Sequence, residues 1–152
     1  MTKITDRQRA EVSSFLKKHT TFTIATLDQD TQPQAASLFY VSDDALNLYW
    51  ISDEKSRHSQ NLERFSQIAA AIHNEMWDWR DIQGMQINGQ AGRLVAPDAI
   101  DRAWMLFREK FPFASEFADR IARSSFYICS PKWIRWIDNS KGFGHREEFT
   151  LS

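Results

Sequence analysis

The stretch Thr21–Leu27 alternates between polar and apolar residues, and this period of two constrains the fold more than any other feature of the sequence. Successive side chains of a β-strand point to opposite faces, so the alternation predicts a strand with one buried and one exposed face. Turn-forming residues at 28–33 and 42–44 separate this stretch from two further predicted strands, Gln34–Val41 and Leu46–Ser52. Because connections this short cannot carry a parallel crossover, the three strands are predicted to form an antiparallel meander.

The remaining chain alternates between helical and strand patterns. Thr5 and Gln8 have the spacing of a capping box, so a helix is predicted to begin there, with Val12, Phe15 and Leu16 on its apolar face. Apolar residues at helical spacing predict three further helices, namely Ser56–Phe65, one from Pro97 to Pro112, and Ala114–Ala122. Strand patterns predict Ile68–His73, Ile82–Val95, and one or two final strands over Phe126–Cys129 and Trp133–Ile137.

About six strands with helices at their ends predict a mainly β fold with flanking α-helices, and a small antiparallel barrel fits this pattern better than a sandwich. The length of 152 residues corresponds to one domain, spanning 1–152. Glycines at 84, 89 and 92 within the long strand predict bends or close approaches of the backbone.

The charge balance and the single cysteine exclude several classes of protein. The net charge is −1, so the basic field expected of a nucleic-acid-binding protein is missing. The sequence has no apolar run long enough for a membrane span and no secretory pattern at its start. Cys129 is the only cysteine, and it is predicted to be a buried, unreactive thiol within a strand. A cytoplasmic protein without membrane or nucleic-acid partners is therefore predicted.

The histidines do not predict a metal site. His19, His58, His73 and His145 are never paired at the spacing of zinc ligands. The segment His73–Asp81 offers one imidazole and three carboxylates, but a solvated acidic loop is the favoured interpretation.

A predicted anion site lies at Asp53–His58, where a strand ends and a helix begins. The N–H groups at the start of a helix favour a bound anion. The hydroxyl of Ser56, the guanidinium of Arg57 and the imidazole of His58 add donors that suit a phosphate monoester. A simpler interpretation, in which Ser56 is only an N-cap and Arg57 is solvated, remains equally open.

Aromatic residues are abundant, with six Trp and eleven Phe. Those on the predicted helices, Trp104, Phe107, Phe111, Phe113 and Phe117, are expected to be packed. Strand alternation places Trp133 and Arg135 on one face of the last strand, with Ile134 and Trp136 on the other. Packing in the core or at a dimer interface is the favoured role of these tryptophans, and a stacking wall for a flat ligand is the alternative.

Three segments resemble motifs of the FMN-binding split-barrel family, which includes pyridoxamine 5′-phosphate oxidase. Leu48–His58 is similar to the motif F-Y-T-N-x-x-S-R-K, Phe22–Asp28 to the entry motif A-T-L-D-x-D-G-x-P, and Ile82–Leu94 to the strand that ends in G-x-A-x-R-L. The likeness extends from Thr21 to Trp136 and is closest to the short, uncharacterised members. It implies an antiparallel split β-barrel and a homodimer with a flavin site near the subunit interface.

The resemblance also implies an FMN cofactor, an oxidoreductase activity (flavin reductase or oxidase) on a small molecule, and roles for individual residues. The implied cofactor-binding residues are Ser56, Arg57 and His58 at the phosphate, with Ile51 and Ser52 beside them, Ser37, Leu38 and Phe39 along the ring, Gln83 or Gln86 from the other subunit, and Trp136 as a wall. Two basic residues that the family carries on the ring-lining strand are missing from Ala36–Val41, so Arg57 must carry more of the phosphate's charge. An arginine also occurs near the family's C-terminal position, in Lys141–Arg146, but its spacing differs.

Two alternatives to a general flavin oxidoreductase remain. The chain could be pyridoxamine 5′-phosphate oxidase proper, although the missing basic residues and the lack of counterparts to the family's substrate-phosphate residues argue against it. It could also be a non-catalytic module that binds flavin or haem.

Overall fold

The structure is a computed structural model that describes residues 1–151, and within these residues it contains nine strands and four α-helices. The strands are β1 (Thr2–Lys3), β2 (Thr21–Leu27), β3 (Pro33–Phe39), β4 (Val41–Ser42), β5 (Leu48–Ser52), β6 (Gln67–His73), β7 (Gln83–Arg93), β8 (Ser125–Asp138) and β9 (Arg146–Thr150). The α-helices are α1 (Asp6–Lys18), α2 (Arg57–Arg64), α3 (Pro97–Lys110) and α4 (Ala118–Ala122). Three 3₁₀ turns lie at Trp79–Asp81, Pro112–Phe117 and Asn139–Lys141.

All nine strands belong to one sheet, in which neighbours follow the order β1-β9-β8-β7-β6-β2-β3. The 14-residue strand β8 pairs with β7 on one side, and on the other side with β5 through its first half and β9 through its second. The sheet curls until β3 and β5 come close to each other, yet these two strands are not paired. The result is an antiparallel barrel that is split along one seam.

The predicted three-stranded meander is wrong. β2 and β3 form the expected antiparallel hairpin, but β5 pairs with β8, where Trp50 lies opposite Tyr127. The predicted strand Gln34–Val41 is interrupted at Tyr40, which is fully buried and donates its hydroxyl to the Leu16 carbonyl at 2.7 Å. Because Tyr40 is buried against α1, the chain leaves β3 and continues as the separate strand β4.

Several boundaries differ from the sequence-based expectations, whereas the long elements are confirmed. α1 begins with the predicted capping box of Thr5 and Gln8, and β2 spans the predicted residues. The two candidate strands at the C-terminal end are one continuous strand, β8. The short strands β1 and β9 were not predicted. The predicted helix Ala114–Ala122 divides into a 3₁₀ turn and the short helix α4.

The apolar side chains form two clusters. The larger one fills the barrel and includes Phe22, Ile24, Trp50 and Trp136. The smaller one lies beneath α3 and contains Ala103, Phe107, Phe111 and Phe126, so most of the helical aromatics are packed as expected. Phe113 and Phe117 depart from that expectation because nearly half of each side chain is exposed.

Lys110 joins α3 to the end of α1. Its Nζ donates hydrogen bonds to the Leu16 carbonyl at 3.1 Å and the His19 carbonyl at 2.6 Å, and it lies 4.1 Å from the centre of the Tyr40 ring. A cation at this position satisfies carbonyl groups that the helix end leaves unpaired. Burial lowers the pKa of Lys110 to about 8. Within residues 1–151, none of the helices has the length and hydropathy required to cross a bilayer.

Gly89 lies where β7 and β8 approach most closely among the glycines of β7, and a substitution there tests this contact. A Cβ atom at Gly89 would lie 2.6 Å from the Ser130 carbonyl oxygen, and the register of the two strands shifts between Asn88 and Gly89. We expect Gly89→Ala to lower the free energy of unfolding by about 1–3 kcal/mol, because the added methyl group forces the two backbones apart. Urea denaturation measures this change.

The matched control is Gly92→Ala in the same strand, where a Cβ would meet no atom within 4 Å. We expect this variant to unfold at nearly the urea concentration of the unmodified protein. Equal losses of stability in the two variants would show that the close approach at Gly89 is not the cause.

Candidate functional site

The N-terminus of α2 lies where β5 ends, as the sequence predicted. A turn precedes it, closed by the Ser56 N–H donating to the Asp53 carbonyl at 3.0 Å. Ser56 is the N-cap: its Oγ accepts the N–H of Ser59 at 3.3 Å and donates to the Ser59 hydroxyl at 2.7 Å. The first turn of α2 contains no acidic residue. Its N–H groups therefore form a positive helix end that no carboxylate of the helix itself neutralises.

Ser52 and His58 meet beside this helix end. The distance between Ser52 Oγ and His58 Nε2 is 2.7 Å, and Ser56 Oγ lies 3.2 Å from the same nitrogen. Burial lowers the pKa of His58, so the neutral ring is favoured at neutral pH. Because the Ser56 hydroxyl proton is donated to Ser59, Ser56 Oγ can only accept, so the neutral ring carries its proton on Nε2 and donates it to Ser52 Oγ and Ser56 Oγ. Ser52, Ser56 and His58 thus form one hydrogen-bonded group.

Arg57 occupies the first position of α2 and is exposed. It lines a polar cleft of about 320 Å³ between α2 and the β2–β3 turn, together with Arg64, Asp28 and Gln34. Two guanidinium groups face one carboxylate there, so the cleft favours an anion. The simpler interpretation of Asp53–His58, an ordinary helix start without a ligand, also agrees with the structure, since Ser56 caps the helix and Arg57 contacts solvent. A role in binding phosphate stays a prediction.

The strand β3 divides the predicted ring-lining residues between its two faces. Ser37 and Phe39 lie on the exposed face, whereas Leu38 is half-buried against the barrel core. Phe39 is 51% exposed, and its ring packs against Phe111 and Phe113 with centroids 5.4 Å and 5.9 Å away. A single ligand can therefore contact all three residues only through the main chain of β3.

Ile51 does not join the polar group. Its side chain packs against the cluster beneath α3, on the opposite face of β5 from Ser52. Any contact of Ile51 with a ligand at the helix end would therefore come from its backbone.

Gln83 and Trp136 lie together, but away from the start of α2. They line a separate cleft between α1 and the ends of β7 and β8. Trp136 lies eleven residues along β8 from Ser125, which is paired with Ser52. That separation corresponds to roughly 35 Å of extended strand. Within one subunit, the structure does not bring these two residues to Ser52 and His58.

Two residues that the sequence analysis overlooked complete the surroundings of α2. Ser59 is fully buried and bonds to Ser56, and buried Asn61 donates from Nδ2 to Thr26 Oγ1 and Gln34 Oε1, each at 3.0 Å. These bonds hold α2 against β2 and β3. The signal for Ser59 was its place three residues after the N-cap, and Asn61 gave none because a polar residue in a surface helix is ordinary.

Neither a metal site nor a reactive cysteine is found in the described part of the chain. Residues 1–151 contain no cluster of three or more His, Cys, Asp or Glu side chains arranged to hold a metal ion. Cys129 is buried, as predicted, and burial raises the pKa of its thiol to about 12. A thiol that stays protonated is a poor nucleophile.

Comparison with known proteins identifies the family of this chain. Residues 8–136 match the family profile described as pyridoxamine 5′-phosphate oxidase. A UPF0306 protein of Klebsiella pneumoniae strain 342 is 28% identical over 121 residues, which cover 79% of this chain and 78% of that protein.

Solved structures confirm the antiparallel split barrel. The conserved hypothetical protein Rv2991 of Mycobacterium tuberculosis superposes with a TM-score of 0.78 at 18% identity, covering 98% of this chain and 92% of that one. A haem-binding protein of Mycobacterium smegmatis gives a TM-score of 0.77 at 18% identity, covering 97% of this chain and 60% of that one. At such low identity these likenesses establish the fold alone.

The lowered pKa of His58 predicts an acid-sensitive stability. Below the pH at which a histidine of the unfolded chain takes up a proton, about 6.5, the buried ring still resists protonation. The unfolded state then binds more protons than the folded state, so stability falls as the pH falls. We expect His58→Gln to lose less stability than the unmodified protein between pH 7 and pH 5 in urea denaturation, since an amide does not titrate.

Ser52→Ala is the control for this experiment, because it removes one of the two hydrogen-bond partners of His58 and keeps the titrating ring. It should retain most of the acid sensitivity, including the part that comes from His19, whose pKa is also lowered by burial. Identical pH dependence in His58→Gln and the unmodified protein would contradict the assignment to His58.

Proposed function

Since this chain belongs to the pyridoxamine 5′-phosphate oxidase family, we propose that it is a flavoprotein that binds FMN and acts as an oxidoreductase on a small molecule. FMN, when bound, supplies the electron-transfer chemistry, so the task of the chain is to hold and orient the cofactor. The phosphate of FMN is a dianionic group on an extended molecule, and the residues around α2 suit it.

The observation that carries this proposal is the arrangement at the start of α2. The helix end presents N–H groups beside three hydroxyl or imidazole side chains, those of Ser52, Ser56 and His58, which are already bonded to one another. A phosphate at a helix N-terminus gains from both the N–H donors and the helix dipole. The neutral His58 ring contributes a hydrogen bond but no charge.

Arg57 and Arg64 supply the positive charge in this proposal. The strand β3 lacks the two basic residues that the family resemblance would place there, but both arginines line the same polar cleft on α2. They lie two turns apart on one face of the helix. Arg57, at the positive end of the helix dipole, is the stronger partner, and Arg64 raises the local potential.

The free edge of β3 is proposed to carry the flavin ring. Gln34 lines the arginine cleft, and Ser37 lies three residues further along the strand, roughly 10 Å away. Their side chains lie on opposite faces of β3, so an extended cofactor would run from the cleft towards Phe39 along the main chain of the edge. β3 ends the sheet, so its outer N–H and C=O groups are unpaired within the described residues and available to the ring.

We also propose that the protein is a homodimer, with the outer face of β2, β3 and β6 at the interface. This face is exposed and rich in small residues, among them Ala35, Ser37, Thr23, Ala69 and Ala71. An exposed sheet face beside an unpaired edge strand is unusual unless another surface covers it. A second copy would cover it and would enclose the ring proposed for β3.

Haem binding is the second candidate function, and one observation favours it. His73 lies on the exposed face of β6. An accessible imidazole can serve as a haem ligand. A structural neighbour from Mycobacterium smegmatis is described as a haem-binding protein.

Absorption of the purified protein tests both candidates. We expect the flavin band near 450 nm, with FMN as the extracted compound. Arg57→Ala should raise the Kd for FMN by at least about tenfold, because a charge-assisted hydrogen bond to phosphate is lost. Fluorescence titration of the cofactor-free protein with FMN measures this change.

Arg123→Ala is the matched control: it removes the same charge from the end of α4, where Arg123 donates to the Asp119 carbonyl. It should leave the Kd for FMN unchanged. Protein that takes up no FMN would overturn the proposal, and an intense band near 400 nm would favour haem instead.

The proposed interface has its own test. Ala71→Glu places a carboxylate on the exposed face of β6, where two copies would have to bury it without a partner. We expect light scattering after size exclusion to show a dimer for the unmodified protein and a monomer for this variant. Ala118→Glu on exposed α4 is the control and should remain dimeric. A monomeric unmodified protein, or a dimeric Ala71→Glu, would contradict the interface.

A further inference from the structure

The second cleft, between α1 and the ends of β7 and β8, has a volume of about 400 Å³. Its floor consists of Gln83, Trp136 and Asp138. Phe15 of α1 forms a wall, and its ring contacts that of Trp136 edge to face with centroids 5.0 Å apart. These residues give the cleft an aromatic side and a polar floor.

The pairing of β7 with β8 brings the three floor residues together. Gln83 lies directly opposite Asp138, and Trp136 precedes Asp138 by two residues on the same face of β8. Because backbone hydrogen bonds fix these positions, the three side chains start from one end of the sheet before any ligand arrives.

Each of these residues has polar capacity that the described residues leave unused. Trp136 is 2% exposed, and its Nε1 has no hydrogen-bond partner. Asp138 is 6% exposed; its Oδ1 accepts the N–H and hydroxyl of Ser140, whereas no hydrogen bond within residues 1–151 reaches Oδ2. The side-chain amide of Gln83 is likewise unbonded within that range. Buried polar groups are normally paired, so the orphaned Trp136 N–H indicates a ligand, and Asp138 Oδ2 and the Gln83 amide beside it are free to bind one.

The types of these groups define the ligand. The indole N–H can only donate, the Asp138 carboxylate can only accept, and the Gln83 amide can do either. A ligand that satisfies them all needs an acceptor and a donor side by side on a flat edge. We infer that this cleft binds a small planar heterocycle with a lactam edge, whose C=O accepts from Trp136 and whose N–H donates to Asp138.

An organic cation fits less well. Asp138 and Glu11 would attract an ammonium group, but Lys18 also lines the cleft and would repel it. A cation would also leave the Trp136 N–H unpaired. The lactam site is distinct from the proposed FMN phosphate site, because Ser52 lies opposite the other end of β8. It does not depend on FMN binding.

The probes for this site are uracil, which has lactam edges, and 1,3-dimethyluracil, which keeps the carbonyl groups but has no N–H donor. Shifts of the tryptophan indole resonances in ¹H–¹⁵N spectra report binding without any activity assay. We expect uracil to bind saturably and to shift the Trp136 N–H resonance. 1,3-Dimethyluracil should bind at least about tenfold more weakly, since the Asp138 acceptor stays unpaired. Benzylamine, the cationic probe, should also bind more weakly than uracil.

Two variants locate the contacts. Asp138→Asn keeps an acceptor for Ser140 and replaces the other oxygen by a donor, so uracil should bind at least about tenfold more weakly. Trp136→Phe keeps an aromatic ring, removes the indole N–H and should weaken binding in the same way. Trp133→Phe is the control, because Trp133 lies on the opposite face of β8 beside Arg135, and it should bind uracil as the unmodified protein does.

Several outcomes would overturn the inference: no saturable binding of uracil, equal affinity for the two uracils, or unchanged affinity in both Asp138→Asn and Trp136→Phe. If these variants fail to fold, the comparison of the probes on the unmodified protein still decides. Uracil binding that is lost when FMN is added would also overturn it, since the cleft would then hold the flavin ring itself. Protein that binds uracil but no FMN would refute the proposed function and leave this site standing.

Discussion

The long strand β8 is the constraint on which the rest of the structure depends. It pairs with β7 along one entire side and with β5 and β9 in succession along the other. Gly89 on β7 pairs with Pro131 and lets the backbone of β7 approach the Ser130 carbonyl closely. β8 therefore connects the strands on both sides of it, and the residues at its two ends lie in different surroundings.

At the first end of β8, the paired strand β5 delivers Ser52 to the start of α2. At the second end, β8 and β7 place Trp136, Asp138 and Gln83 on the floor of a cleft closed by α1. One secondary-structure element thus supports both groups of candidate functional residues while keeping them far apart. This separation leaves room for the two proposed sites within one domain of a 152-residue chain.

Local patterns in the sequence predicted the elements whose cause is local. The alternation in Thr21–Leu27 and the capping box at Thr5 each predicted the correct element, since burial on one face and capping act between near neighbours. The meander failed because the true partner of β5 lies more than 70 residues further along the chain, beyond the reach of any local pattern. The short strands β1 and β9 have too few residues to show a period.

The same distinction applies to the candidate sites. The motif at Asp53–His58 predicted the grouping at the start of α2, because a strand end, a turn and an N-cap follow one another in the sequence. No local pattern singled out Asp138. It became a candidate only because the sheet places it opposite Gln83, beside the second cleft. Phe113 and Phe117 have helical spacing but remain nearly half exposed. Spacing predicts that residues share one face of a helix, but it does not predict whether another part of the chain covers that face.

The open seam between β3 and β5 has a consequence for how such a chain can change during evolution. A closed barrel offers ligands only its side chains, whereas the free border of β3 also offers peptide groups, which every residue except proline provides equally. Substitutions along β3 can therefore alter charge and size and leave these peptide groups in place. For the flavin ring proposed there, such a seam would preserve backbone contacts even after basic residues are lost from the strand.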